Sequence, residues 1–99
     1  LKLKDYMKSE QKIETNKEPF VRWLIDVQNF TPRTASDTLS RVRRADRICP
    51  LEGLPNDFYY CSLQQTDEYI ELSAYVRYQM KRALMLYYTY IIQNGLPIS

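Results

Sequence analysis

The sequence predicts a small all-α domain, a bundle of four to five helices. Its 99 residues, 44% of them hydrophobic and 26% charged, suit one globular domain with a single core. Apolar residues recur at spacings of three and four over the longer segments, which is the period of an α-helix. An aromatic run at residues 58–63 suits a strand, but no second strand is available to pair with it.

The first helix is predicted to begin at Pro19, because proline is favoured in the first turn. Asn16 or Glu18 is expected near its cap, and the helix is expected to end near Asn29. We interpret residues 1–15 as a loosely ordered lead-in, since their apolar positions are scattered. The stripe predicted to face the core is Phe20, Trp23, Leu24 and Val27.

A strong start signal precedes the second helix. Thr31 can accept a free amide hydrogen of the first turn, and Pro32 has no amide hydrogen to leave unpaired. Pro50 should stop this helix at about Ile48 or Cys49. Its inward stripe is predicted to be Ala35, Thr38, Leu39, Val42, Ala45 and Cys49.

The middle of the chain is predicted to be a loop with short elements. Gly53 and Pro55 indicate a connection. We expect residues 58–63 to form an extended or single-turn segment that packs its aromatic rings onto the core. A short helix should then run from its cap at Thr66 to Leu72, with acidic residues favourably placed in its first turn.

The last helix is predicted to start after Ser73 and to continue to about Gln93, where Asn94 and Gly95 end it. The helical domain would therefore cover residues 16–95, and residues 96–99 are expected to lead into a following domain. The inward stripe of this helix is predicted to be Val76, Met80, Ala83, Leu84, Tyr87 and Ile91.

The distribution of charge matters more than the net charge of +2, which is too small to imply a polyanionic partner. At about 100° per residue, a group of arginines and serines falls on one side of the second helix, away from its apolar stripe. Arginine presents a planar fork that matches phosphate oxygens and guanine edges. The predicted DNA-binding residues are Arg33, Ser36, Ser40, Arg43, Arg44 and Arg47 of the second helix, and Arg77 and Lys81 of the last helix. The alternative is a solvated face whose arginines pair with Asp37, Asp46 or the acidic middle segment.

No catalytic, cofactor or metal site is predicted. The chain has no histidine, and its two cysteines, Cys49 and Cys61, are too few for a structural zinc site. We expect two free thiols in a cytoplasmic protein, with a disulfide as the alternative. No apolar run approaches the ~20 residues that a membrane span needs, and no small-molecule substrate is indicated.

The pattern as a whole resembles the N-terminal core-binding (SAM-like) domain of tyrosine recombinases and phage integrases, over about residues 19–92. The similar pieces are FVRWL at 20–24, FTPRT at 30–34 with Leu39 and VRR at 42–44, and then Arg77, Arg82, Ala83, Leu84, Tyr87, Tyr90 and Ile91. The resemblance implies half of a clamp around duplex DNA, with Arg33, Ser36, Arg43, Arg44, Arg47, Arg77 and Lys81 at the DNA. It also implies that catalysis belongs to a separate C-terminal domain.

Two functions follow as hypotheses. The first is a non-enzymatic domain that binds duplex DNA through basic faces of the second and last helices and positions an attached recombinase or integrase catalytic domain. The alternative is a protein-interaction module, in which the last helix meets a second copy or the following domain. That interface would be a surface rich in tyrosine and methionine, formed by Tyr78, Met85, Tyr88 and Ile92.

Overall fold

The computed structural model describes residues 13–94, of which 77% are helical and none lies in a strand. The predicted all-α bundle is thereby confirmed. Five helices follow one another: α1 (Ile13–Asp26), α2 (Pro32–Ile48), α3 (Asp57–Gln64), α4 (Asp67–Ile70) and α5 (Ala74–Gln93). Helix α2 packs against both α1 and α5, so these three long helices enclose the core, while α3 and α4 bridge the end of α2 and the start of α5.

Helix α1 begins at Ile13, six residues before the predicted start at Pro19, which lies inside the helix. Proline costs a helical hydrogen bond in this position. Tertiary contacts offset the cost, because Ile13 is fully buried and the Nδ2 of buried Asn16 donates to the Tyr87 hydroxyl at 3.1 Å. Asn16 is thus a core residue rather than a cap. The rest of the predicted lead-in, residues 1–12, lies outside the described residues, as do Gly95 and the tail at 96–99.

The predicted stripe of α1 is confirmed at Phe20, Trp23 and Leu24, which are buried. It is wrong at Val27, which is 55% exposed because the helix has already ended at Asp26. The chain reverses through Asn29, whose φ of 60° lies in the left-handed region that asparagine tolerates better than most residues. The amide of Phe30 then donates to the carbonyl of Leu24 at 2.9 Å and closes the turn.

Helix α2 confirms its predicted bounds. The Thr31 side chain accepts from the amide of Thr34 at 3.1 Å, and Pro32 is the first helical residue. Four members of the inward stripe are buried, whereas Leu39 and Cys49 are half-buried against the core; the buried ones are Ala35, Thr38, Val42 and Ala45.

The segment predicted to be extended, residues 58–63, is helical and forms most of α3. Its cap is Asn56, whose side chain accepts from the amide of Tyr59 at 2.9 Å. Tyr59 and Leu63, four residues apart, are buried, and the Tyr59 hydroxyl donates to the carbonyl of Cys49 at 2.8 Å. This contact joins α3 to the end of α2, where helix carbonyls lack helical partners.

The two elements at the C-terminal side have the predicted caps, and five of the six predicted inward residues of α5 are buried, whereas Val76 is only half-buried. Thr66 caps α4 by accepting from the amide of Tyr69, although α4 ends at Ile70 rather than Leu72. Ser73 caps α5, which runs to Gln93. An aromatic cluster then joins α5 to α1: the Phe20 ring meets Tyr87 edge-on at 5.2 Å and Tyr90 at 5.4 Å.

Candidate nucleic-acid interface

The outward face of α2 carries exposed cationic and hydroxyl side chains. The four buried residues of α2 recur at spacings of three and four, so the opposite side of the helix is left to solvent. Five of the six residues that the sequence predicts there are exposed. We define them as the outward face of α2: Arg33, Ser36, Ser40, Arg44 and Arg47.

Arg43, the sixth predicted residue of α2, is half-buried at the edge of α2 that meets α1. Its Nη2 lies 2.8 Å from the Oε1 of Glu14 in the first turn of α1. Its Nε is buried and has no hydrogen-bond partner among residues 13–94. The guanidinium is therefore folded against α1, and Glu14 offsets its charge.

Arg77 and Lys81 lie on the edge of α5 that faces α3 and α4. They line a groove of about 410 Å³ with residues of those helices, including Gln64 and Tyr69. The Nζ of Lys81 lies 6.0 Å from the centre of the Tyr60 ring, within the range of a cation–π interaction. The structure thus separates these two cations from the edge of α5 that packs on α2.

The edge where α5 meets α2 brings together arginines that are distant in sequence. Arg41 of α2 and Arg82 of α5 line one notch of about 110 Å³. Arg41 also lines an adjoining groove of about 170 Å³ with Arg44 and Tyr75, and Gln79 borders both. We call this continuous strip the α2–α5 seam. Among residues 13–94, none of those that line its two depressions is acidic.

Sequence reasoning missed Arg41 and Arg82 as site residues. On the helical wheel, Arg41 falls beyond the predicted strip of α2, at roughly 200° from Leu39. The wheel of one helix does not show which of its edges a second helix will meet. The available signal was the absence of acidic residues after Glu71, which leaves Arg82 on a helix without carboxylates.

No carboxylate of residues 13–94 forms an ion pair at the seam. Between Ile13 and Asn94, no ion pair joins an acidic residue to Arg41, Arg44 or Arg82. Asp46, which the sequence offered as a partner, uses its Oδ1 to accept from the amide of Leu51 at 2.8 Å. A larger groove of about 600 Å³ between α1 and α2 differs from the seam, since Glu18 and Asp26 border it.

The tyrosines of α5 divide between the core and the surface. Tyr87 and Tyr90 are buried, whereas Tyr75, Tyr78 and Tyr88 are exposed. Four large side chains on the outer side of α5 are between 42% and 57% exposed; we call them the α5 stripe: Tyr78, Met85, Tyr88 and Ile92. Tyr78, Met85 and Ile92 are each seven residues apart, which places them in one line along the helix.

The remaining chemistry-bearing residues are the cysteines. Both are free thiols; Cys61 is exposed, and burial raises the pKa of the half-buried Cys49. A thiol with a raised pKa is a poor nucleophile at neutral pH. In the part of the chain that the structure describes, no three cysteine or carboxylate side chains form a group that could hold a metal ion.

Comparisons with protein-family models, with curated proteins and with solved structures find no significant match to this chain. Among the helices of residues 13–94, none combines the length and the apolar character that crossing a bilayer requires.

Proposed function

We propose that this chain is a DNA-binding helical domain that grips duplex DNA through the outward face of α2 and the α2–α5 seam. The observation that carries the proposal is the seam itself, where Arg41 and Arg82 come from different helices and line one notch to which residues 13–94 contribute no carboxylate. A phosphate-binding footprint needs several cations within reach of one backbone, and Arg33, Arg44 and Arg47 extend this one along α2.

Duplex DNA suits this surface better than a small anion does. Helix α2 has 17 residues and is therefore about 25 Å long. The major groove of B-DNA is about 12 Å wide and admits one α-helix. Ser36 and Ser40 are short and lie between the arginines, so they allow the helix axis to approach the backbone closely.

The finer part of the proposal is that the domain positions an attached recombinase or integrase catalytic domain. Its support is the resemblance in the spacing of residues 19–92 to core-binding domains, together with the helical architecture. The proposed contacts differ from those expected from the sequence. Arg41 and Arg82 join the arginines of the outward face of α2 at the DNA. Arg43 instead pairs with Glu14, and Arg77 and Lys81 line the groove beside α3 and α4.

The experiment is a fluorescence-anisotropy titration of a labelled duplex between 50 and 200 mM salt. We expect log K to fall linearly with log salt, with a slope of about −0.9 for each phosphate contacted. The double variant Arg44→Ala/Arg47→Ala should bind about ten-fold or more weakly. Its slope should be less steep by about twice 0.9, because two phosphate contacts are lost.

The matched control is Lys17→Ala/Arg22→Ala, which removes two cations from α1 beside Glu18 and Asp26. We expect it to bind DNA like the unsubstituted chain. Absence of binding at 50 mM salt, or an equal loss in the control, would contradict the proposal.

The α5 stripe supports a second candidate function, a protein interface formed by the last helix. A line of Tyr78, Met85 and Ile92 on one side of a helix is typical of a surface that another helix or domain covers. If a second copy covers it, the molar mass from light scattering should rise with concentration and be insensitive to salt. Met85→Lys should abolish that rise, and a monomer at every concentration would contradict self-association.

A further inference from the structure

We propose that the notch between α2 and α5 is a pocket for a single phosphate group, the point at which one backbone phosphate of the DNA is anchored. The pocket is lined by Arg41, Arg82, Gln79 and Thr34. The assignment of its ligand to a DNA backbone rests on the proposed function, whereas the capacity of the notch to bind phosphate does not.

The size of the notch selects a small ligand. Its volume of about 110 Å³ corresponds to roughly three or four water molecules. Pockets that enclose a nucleoside or another organic ligand usually begin at about 300 Å³. A tetrahedral oxyanion therefore fits, and a flipped base does not.

The residues that line the notch carry donors that match the acceptors of a phosphate. Each guanidinium offers a planar fork of N–H groups that can bind two phosphate oxygens at once. Gln79 adds amide hydrogens. The hydroxyl of Thr34 accepts a hydrogen bond from Thr31 at 2.9 Å, which leaves its own hydrogen for an acceptor in the notch.

The electrostatics of the notch favour an anion. Arg41 and Arg82 hold two like charges at one small depression, and the described chain supplies neither of them with a carboxylate. A bound anion would replace their repulsion by two charge-assisted interactions. Arg43 shows the contrast, because Glu14 provides its counter-charge at 2.8 Å.

The floor of the notch is apolar and comes from α5 and the turn before α2. Phe30, Ala83 and Leu86 form it, and Thr38 is already engaged by donating its hydroxyl to the carbonyl of Thr34 at 2.8 Å. An apolar floor strengthens the interaction of the arginines with an anion above it, because less water screens the charges. The notch therefore differs from the open outward face of α2.

The first test uses inorganic phosphate as the probe and needs no DNA. The ¹⁵N-labelled full chain is titrated with phosphate at constant ionic strength, and the side-chain signals of Arg41 Nε, Arg82 Nε and the Gln79 amide are followed by NMR. We expect saturable shifts confined to these groups. Arg82→Ala should abolish them, and Arg22→Ala should leave them unchanged. Shifts that do not saturate, or that spread equally over all arginines, would overturn the pocket.

The second test measures the salt dependence of duplex binding. Arg82→Ala should reduce the slope of log K against log salt by about 1, equally for duplexes of different sequence. Arg82→Lys should keep the slope, since the charge remains, but should bind more weakly because the fork is lost. Arg82 is exposed, so neither substitution threatens the core.

The two tests separate the pocket from the proposed function. Saturable phosphate shifts in a chain that does not bind duplex DNA would support the pocket and refute DNA binding. Duplex binding with an unchanged slope in Arg82→Ala would support DNA binding and refute the anchoring of a backbone phosphate in the notch.

Discussion

Tyr87 shows how one side chain joins helices that are far apart in sequence. It is fully buried, its ring meets Phe20 at 5.2 Å, and its hydroxyl accepts from the Nδ2 of Asn16 at 3.1 Å. Helical spacing predicted Tyr87 in the core, and the structure confirms it. The partner was not predictable, because 71 residues separate the two and no local pattern links them.

Replacing Tyr87 by phenylalanine should lower the free energy of unfolding by about 1–2 kcal/mol, because a buried hydrogen bond to Asn16 is lost while the ring is kept. Urea denaturation followed by circular dichroism measures the change. The control is Tyr88→Phe, which removes an exposed hydroxyl and should change stability by less than about 0.5 kcal/mol. Equal effects of the two substitutions would show that the buried bond contributes nothing.

Ionisation of the Tyr87 hydroxyl should also lower the stability of the folded domain at alkaline pH. Burial raises the pKa of Tyr87 to about 12, although the hydrogen bond from Asn16 partly offsets the rise. Below pH 10 the hydroxyl is protonated in both states, and its contribution is complete. Between pH 10 and 12 the unfolded chain loses this proton first, so stability should fall by up to about 1.4 kcal/mol per pH unit.

Urea denaturation at intervals between pH 9 and 12 checks this dependence. Tyr87→Phe should show a shallower fall than the unsubstituted chain. Burial also raises the pKa of Tyr59, so some of the decline should persist in the variant. A Tyr87→Phe profile identical to that of the unsubstituted chain would contradict the assignment.

Among the elements, α2 is central both to the core and to the proposed interface. Its start at Pro32 and its end at Ile48 match the sequence prediction, because a threonine cap, a first-turn proline and a stopping proline are all local signals. The predicted start of α1 is wrong because proline is favoured in a first turn, whereas Pro19 lies inside the helix. The helical state of α3 was missed because the cap at Asn56 was not recognised before an aromatic run.

Removing the cap of α2 should destabilise the domain without touching the arginines. Thr31→Ala deletes the oxygen that accepts from the amide of Thr34 and should cost about 1 kcal/mol of unfolding free energy. Thermal and urea denaturation measure this loss, and Thr31→Asp should largely restore stability because aspartate also caps.

At the scale of the whole molecule, residues 13–94 form a three-helix core with two short helices added to one side. The core side chains come mainly from α1, α2 and α5, whereas α4 has four residues and buries only Tyr69 among them. Regions with few buried contacts open at lower free energy than the core does. The domain should therefore differ in local stability along its length.

Native-state hydrogen exchange, measured by NMR, should reveal this gradient. We expect the slowest amides at the buried centres of the long helices, such as Leu24, Val42 and Leu84. The amides of Ile70 and Glu71 in and after α4 should exchange at least ten-fold faster, since their side chains are exposed and their hydrogen bonds close a single turn. Uniform protection across all helices would mean that α4 opens only with the core.

The amino-acid sequence by itself determined the helical class, the bounds of α2 and α5 and the sides of these helices that face the core. Caps, prolines and a period of 3.6 residues act over a few positions and can be evaluated without knowing the rest of the chain. Only the tertiary structure decided which arginines meet, placing Arg41 beside Arg82 in one notch and Arg43 against Glu14. The physical reason is that such pairings depend on how whole helices cross and on which edge of each meets its neighbour.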